Sequence, residues 1–159
     1  IFSPKGQDIR GKAKKLTGKK EERFIKGRLG LVIDGTGKDP YKIKEQAKKL
    51  KEIGYDVAMI FVNTDLDTAI ARDAQRSRTI GAKEATKYWK LVQSNVGAFQ
   101  TMFGKDKFLV VDNSEGKDYQ KETLRAYKDA QKFTKGPHGS KAKRWIEVEK
   151  QAIKRVKGK

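Results

Sequence analysis

Three short apolar runs, residues 29–33, 57–62 and 108–111, punctuate a polar chain. Each is continuously apolar rather than alternating, as expected of a strand buried on both faces of a parallel sheet. Polar turn residues follow each run: Asp34-Gly35-Thr36-Gly37, Asn63-Thr64-Asp65 and Asp112-Asn113-Ser114. Between the first two runs the pattern turns helical. Asp39 suits an N-cap with Pro40 at the first helical position, Ile43, Ala47 and Leu50 share a face, and Gly54 suits the C-terminal stop. The second gap predicts a helix over 65–75, with Leu66, Ala69 and Ile70 on one face. It also predicts a single long helix over 83–103, on the spacing of Ala85, Tyr88, Trp89, Val92, Val96, Phe99 and Phe103. Helices over 119–133 and from residue 140 onward complete the pattern, and residues 7–27 read as a basic helix with few apolar anchors. Strand–helix–strand order implies right-handed crossovers between parallel strands. The expected fold class is therefore α/β: an open parallel sheet with helices on both faces, of only three strands and so with an edge missing.

Charge divides this frame. The chain of 159 residues carries a net charge of +18, with apolar and charged residues at 36% each. Residues 1–28 hold 10 Lys/Arg against 3 Asp/Glu and residues 132–159 hold 10 against 2, whereas 29–131 hold 18 against 15. The expected organisation is a basic helical segment over 1–28, an α/β core over 29–134, and a loop with a basic amphipathic helix over 135–159. Basic ends attract polyanions through phosphate charge and counterion release, without reading sequence. Lys12, Lys14, Lys15, Lys19, Lys20, Lys141, Lys143 and Arg144 are the candidate nucleic-acid contacts; the same residues equally serve solubility. No cysteine is present, which fits a reducing, cytoplasmic setting, and the lone His138 in a Gly/Pro loop leaves zinc without ligands. No apolar run approaches the roughly 18 residues of a membrane span, so no membrane partner is expected. The opening Ile1-Phe2-Ser3-Pro4 lacks the features of a signal peptide, and a start at Ile rather than Met suggests residues upstream.

In open parallel sheets ligands bind at the carboxyl ends of the strands, which here carry Asp34, Thr36, Asn63, Thr64, Asp65, Asp112 and Asn113. A carboxylate directly after a strand suits Mg²⁺ held through water beside nucleotide phosphates, and Asp34 is the best placed; alternatively it caps a turn. Arg72, Arg76 and Arg78, spaced i, i+4, i+6 at a helix end, place two guanidinium groups on one face and the third just beyond. They suit phosphate oxygens, or merely complement the helix dipole. The run Ala13-Lys14-Lys15-Leu16-Thr17-Gly18-Lys19-Lys20 imitates a Walker A loop but lacks its first glycine, its final Ser/Thr and a preceding strand, and is rejected.

Several of these features together resemble zeta-toxin-like P-loop kinases, especially small phage versions, over roughly residues 10–115. The matching elements are the run Gly27-Arg28-Leu29-Gly30-Leu31-Val32-Ile33-Asp34-Gly35-Thr36-Gly37, the run Gly54-Tyr55-Asp56-Val57-Ala58-Met59-Ile60-Phe61-Val62, and Leu66-Asp67-Thr68-Ala69 with its arginines. Trp89, Asn95, Phe99 and the strand ending at Asp112-Asn113 continue the likeness. The resemblance implies a P-loop NTPase kinase-like fold, seen incompletely, to which the charge pattern adds basic helical extensions at both ends. It implies ATP and Mg²⁺ as cofactors, a lid in which Arg72, Arg76 and Arg78 contact the triphosphate, and Asp34 and Thr36 in the active cleft. Asn63 and Asp112 then become candidate nucleotide contacts at the strand ends. The family's first strand, Walker A loop and following helix have no counterpart here, so this chain alone is expected to be a poor kinase or none. The lid exit also departs from the family, reading Thr79-Ile80-Gly81 where proline is common. Two function classes follow. One is an ATP-dependent phosphotransferase with an unspecified acceptor; the other is a kinase-derived module, non-catalytic, that binds nucleic acid or serves a phage particle through its basic ends.

Overall fold

Ser3 opens the first helix: its hydroxyl accepts the Gly6 N–H at 3.2 Å, Pro4 follows at the first helical position, and Gly27 closes the helix. The computed structural model describes residues 3–157, and in it α1 spans Pro4–Lys26. No residue of α1 is buried, as its scarcity of apolar anchors predicts. Residues 13–20 lie wholly inside α1, with the Thr17 hydroxyl bonded back to the Ala13 carbonyl at 3.0 Å, so the Walker-like run is helix and not a phosphate loop. Among the described residues no helix is long and apolar enough to cross a membrane.

Two compact units divide the chain, Ile1–Gly35 and Thr36–Lys159. The first contains α1 and the segment after it, and here the expectation of a strand over 29–33 is corrected. These residues form no strand, and Val32 is wholly exposed at 102%. A continuously apolar run becomes a buried strand only when neighbouring strands supply a ladder and two covering layers. Within its own unit this run follows a lone helix and has neither.

The second unit begins with α2 (Pro40–Glu52). Asp39 caps it, accepting the Lys42 N–H at 2.9 Å, and Ala47 and Leu50 are buried as their spacing predicts. Its end is a Schellman turn: Gly54 N–H bonds to the Lys51 carbonyl and Tyr55 N–H to the Leu50 carbonyl, with Gly54 at φ +101°. The first residues of α7 (Ser140–Lys157) pack at this turn; a Cβ on Gly54 would meet the Ala142 nitrogen at 3.4 Å. The Gly139 N–H donating to Asp56 at 3.2 Å secures the same junction. The final helix thus starts against the C-terminal turn of α2.

The sheet has two strands, β1 (Met59–Asn63) and β2 (Phe108–Asp112), parallel and in register from Met59↔Phe108 to Asn63↔Asp112. The expected third strand is the run over 29–33 just described, so the expected crossover through α2 is absent as well. The connection that does join parallel strands runs from β1 through α3 (Leu66–Ala74), α4 (Ala82–Ser94) and α5 (Val96–Phe103), then a 3₁₀ turn at Lys105–Lys107, to β2. Phe61, Phe99 and Phe108 form the core, the Phe99 and Phe108 ring centroids lying 6.5 Å and 6.0 Å from that of Phe61, and Ile43, Val92, Val96 and Met102 close around them.

The single helix expected over 83–103 is two. Asn95 separates α4 from α5, and its amide donates to the carbonyls of Gly37 (3.0 Å) and Lys38 (3.3 Å). The apolar periodicity continues across the break because α4 and α5 both supply side chains to one core. α6 (Tyr119–Lys135) lies against β2 through two polar contacts: Asp112 N–H donates to Glu122 at 3.4 Å and Arg125 donates to the Val110 carbonyl at 2.6 Å. The Glu122–Arg125 pair thereby satisfies two backbone groups of β2 that a further strand would otherwise take. The result is a helix-rich α/β fold with a small parallel sheet and helical flanks, consistent with a P-loop kinase-like architecture.

Candidate functional site

β1 and β2 are in register, so their carboxyl ends deliver Asn63 and Asp112 side by side, and the loops that follow interlock. Asn113 N–H donates to the Asn63 carbonyl at 2.7 Å, and Asp65 N–H donates to the Ser114 hydroxyl at 2.9 Å. Asp65 also caps α3: one carboxylate oxygen accepts the Thr68 N–H at 2.8 Å and the other the Thr68 hydroxyl at 2.6 Å. The Thr68 hydroxyl in turn accepts the Glu115 N–H at 3.0 Å, so one buried threonine ties both strand-end loops together. The Thr68 hydroxyl and amide lower the Asp65 carboxyl to about 2, with Ser114 and Glu115 adding smaller effects.

Asn63 and Asp112 both have partners already. The Asn63 side-chain oxygen accepts from Gln93 at 2.7 Å, and Asp112 accepts the Ser114 N–H at 3.1 Å with Lys117 3.5 Å away. Bonding to Ser114, then the charge of Lys117, holds the Asp112 carboxyl below the usual carboxylate range. The Trp89 indole N–H donates to the Thr64 carbonyl at 2.7 Å, fastening α4 to the same edge. Thr36 is exposed, one residue before Gly37 (φ +71°), where a Cβ would meet Val92 at 3.4 Å. Asp34 belongs to the first unit, exposed on non-strand backbone, so the expectation that it directly follows a strand is corrected.

The arginines are arranged differently from the expected helical face. α3 ends at Ala74, so only Arg72 is helical; it is half-buried and donates to the Asn113 carbonyl at 2.9 Å. Arg76 and Arg78 lie on the loop between α3 and α4, both exposed. Asp73 closes that loop by accepting the N–H groups of Ile80 and Gly81, each at 3.0 Å from Oδ2. Those bonds draw the chain out of the helix, which is why Arg72 and Arg76 do not share one helical face.

Among the described residues no three His, Cys, Asp or Glu side chains converge on a metal position. Mg²⁺ beside nucleotide phosphates needs no such cluster, since it takes one or two carboxylates and draws its other ligands from water and substrate phosphates.

The candidate lysines are all exposed: Lys12, Lys14, Lys15, Lys19 and Lys20 along α1, Lys141, Lys143 and Arg144 at the start of α7. Lys12 pairs with Asp8 at 2.8 Å, and the Lys141 ammonium donates to the Glu52 carbonyl at 3.4 Å.

Thr68, Ser114, Gln93 and Asp73 are absent from the sequence-based candidates. The Asp65-x-x-Thr68 spacing is a legible N-cap signal; the cross-loop bonds of Ser114 and Gln93 span 49 and 30 residues and leave no local trace.

Residues 5–124, which run from α1 into α6, match the Zeta toxin family. No curated protein and no solved structure matches the chain. The match covers 120 of 159 residues, and the matched span takes in both strands of the sheet and the arginine-bearing element between them. The chain belongs to the Zeta toxin family, a kinase-like group related to the P-loop NTPases.

Proposed function

We propose that this chain supplies the lid and sheet edge of an ATP-dependent phosphotransferase, with Arg72, Arg76 and Arg78 as its phosphate-binding residues. The observation that carries the reading is the arginine element itself. Arg72 is anchored beside the strand ends through Asn113, and the next two arginines stand on a loop that begins and ends at Asp73 and Gly81. Planar guanidinium groups presented on such a loop suit the non-bridging oxygens of a triphosphate, each through two parallel N–H donors. In this reading Thr36, Asn63 and Asp112 border the nucleotide. Mg·ATP supplies the transferable phosphoryl group and the metal that neutralises its charge. The chain's own residues position that group and shield its oxygens with positive charge.

A Walker A cradle is not formed by the described residues, because the one run that imitates it is buried within the sequence of α1. The 159-residue chain is therefore expected to bind Mg·ATP weakly and to transfer phosphate at background rate. Calorimetric titration with Mg·ATP tests the reading. Removing both exposed arginines (R76A/R78A) should weaken binding about tenfold or more, since two charge-assisted contacts to the triphosphate are lost. Equal affinity of wild type and R76A/R78A, or no binding by wild type, overturns it.

A second reading rests on α1, which buries none of its residues while exposing five of the candidate lysines. A helix of this kind, polar all round, suits a nucleic-acid phosphate backbone, and the chain would then act as a binding module through its basic ends.

A further inference from the structure

Among the described residues Asp73 is the only buried acidic side chain, at 8% exposure, where water cannot freely solvate its charge. Its carboxylate instead takes two backbone donors from the far side of a seven-residue excursion: Ile80 N–H at 3.0 and 3.3 Å from its two oxygens, and Gly81 N–H at 3.0 Å. Gly81 sits at φ +85° immediately before α4, a backbone state that glycine adopts without strain. One side chain on the last turn of α3 therefore fixes where α4 begins and closes residues 75–81 into a loop. Arg76 and Arg78 stand on that loop, and Arg76 N–H bonds back to the Asp73 carbonyl at 3.1 Å. Main chain and side chain of the same residue thus hold both ends of the arginine-bearing loop.

We propose that Asp73 is a positioning residue for triphosphate recognition, which it serves by holding Arg76 and Arg78 in one geometry before the anion arrives. This rests on the phosphate-binding reading above. A free loop would have to be ordered on binding, at a cost in backbone entropy, and preorganisation removes part of that cost. A carboxylate is suited to the task because it accepts several N–H donors at once, where an amide side chain offers one acceptor oxygen.

The test titrates wild type, R76A/R78A, D73N, D73A and the triple variant D73A/R76A/R78A with inorganic triphosphate, and records Tm for each. Expected are an affinity loss of about tenfold for R76A/R78A, a loss of about five- to tenfold for D73A, and an intermediate loss for D73N. In the D73A background, removing the arginines should add little, because their geometry is already lost. That non-additivity is what a role in stability alone would not produce. Wild-type affinity in folded D73A or D73N, alongside a clear R76A/R78A effect, overturns the positioning role and leaves the arginine reading intact. Full additivity in the triple variant overturns it too. If D73A does not fold, D73N and its combination with R76A/R78A decide by the same criteria. No effect of R76A/R78A removes both proposals together.

Discussion

Asp65 holds two loops at once, and its protonation ought to be visible in acid. Its carboxyl titrates at about 2 against an ordinary 3.8, so between these values the unfolded chain binds more protons than the folded one. Stability from this group is fully present above pH 4 and is lost as the pH falls through 2. Urea unfolding at pH 5, 4, 3 and 2 should show a falling midpoint in wild type and a shallower acid limb in D65N. The limb should not flatten entirely, because Ser114 also lowers Asp112 and Arg125 also lowers Glu122, and both lose their contribution in the same direction. At this scale the sequence is legible only where a residue acts on its near neighbours. Asp39 caps α2 and Gly54 ends it, as their local spacing indicates. Asp65 reads as a candidate at a strand end, but its bond to Ser114 depends on a loop 49 residues away.

Among the elements, the break between α4 and α5 shows how a fold can interrupt a good helical pattern. Nothing in the run from Ala82 to Phe103 lacks helical propensity severely, apart from Gly97, which costs about 1 kcal/mol against alanine. Asn95 gains more from the carbonyls of Gly37 and Lys38 than from a continuous helix, since two backbone acceptors in a turn packed on Val92 and Phe99 would otherwise lose partners. The N95A variant should lose about 1–2 kcal/mol in urea unfolding, with the change in midpoint rather than in slope. An unchanged midpoint would mean that water replaces the amide at no cost. The Glu122–Arg125 pair works at the same scale, as a side-chain substitute for a neighbouring strand on β2.

For the whole molecule, the net charge of +18 is carried mainly by the ends, and exposed pairs such as Lys12–Asp8 offset it little. If α1 engages nucleic acid, affinity for a duplex of arbitrary sequence should fall steeply between 50 and 200 mM salt, as is typical of about 6 or more phosphate contacts. Charge reversal by K12E/K14E/K15E should weaken binding whatever the sequence and reduce the salt slope. Fluorescence anisotropy measures both, and affinity independent of salt would exclude the nucleic-acid reading. R76A/R78A, which lies in the other unit, should leave that binding nearly unchanged, so the two functional readings separate on one set of variants.

The class of the fold and most of its elements are legible in local pattern alone. α2, α3, α6, α7 and both strands of the sheet follow from periodicity, caps and continuous apolar runs, each a relation among residues a few positions apart. The arginines and the order of motifs also lie open in the sequence, and they carried the family resemblance that the match over residues 5–124 bears out. That residues 29–33 form no strand, that Asn95 divides a helix, and that Asp73 closes the arginine loop emerge only in three dimensions. Each of these depends on whether a backbone donor or acceptor finds its partner nearby or far along the chain, and distant pairing is settled by packing rather than by local pattern.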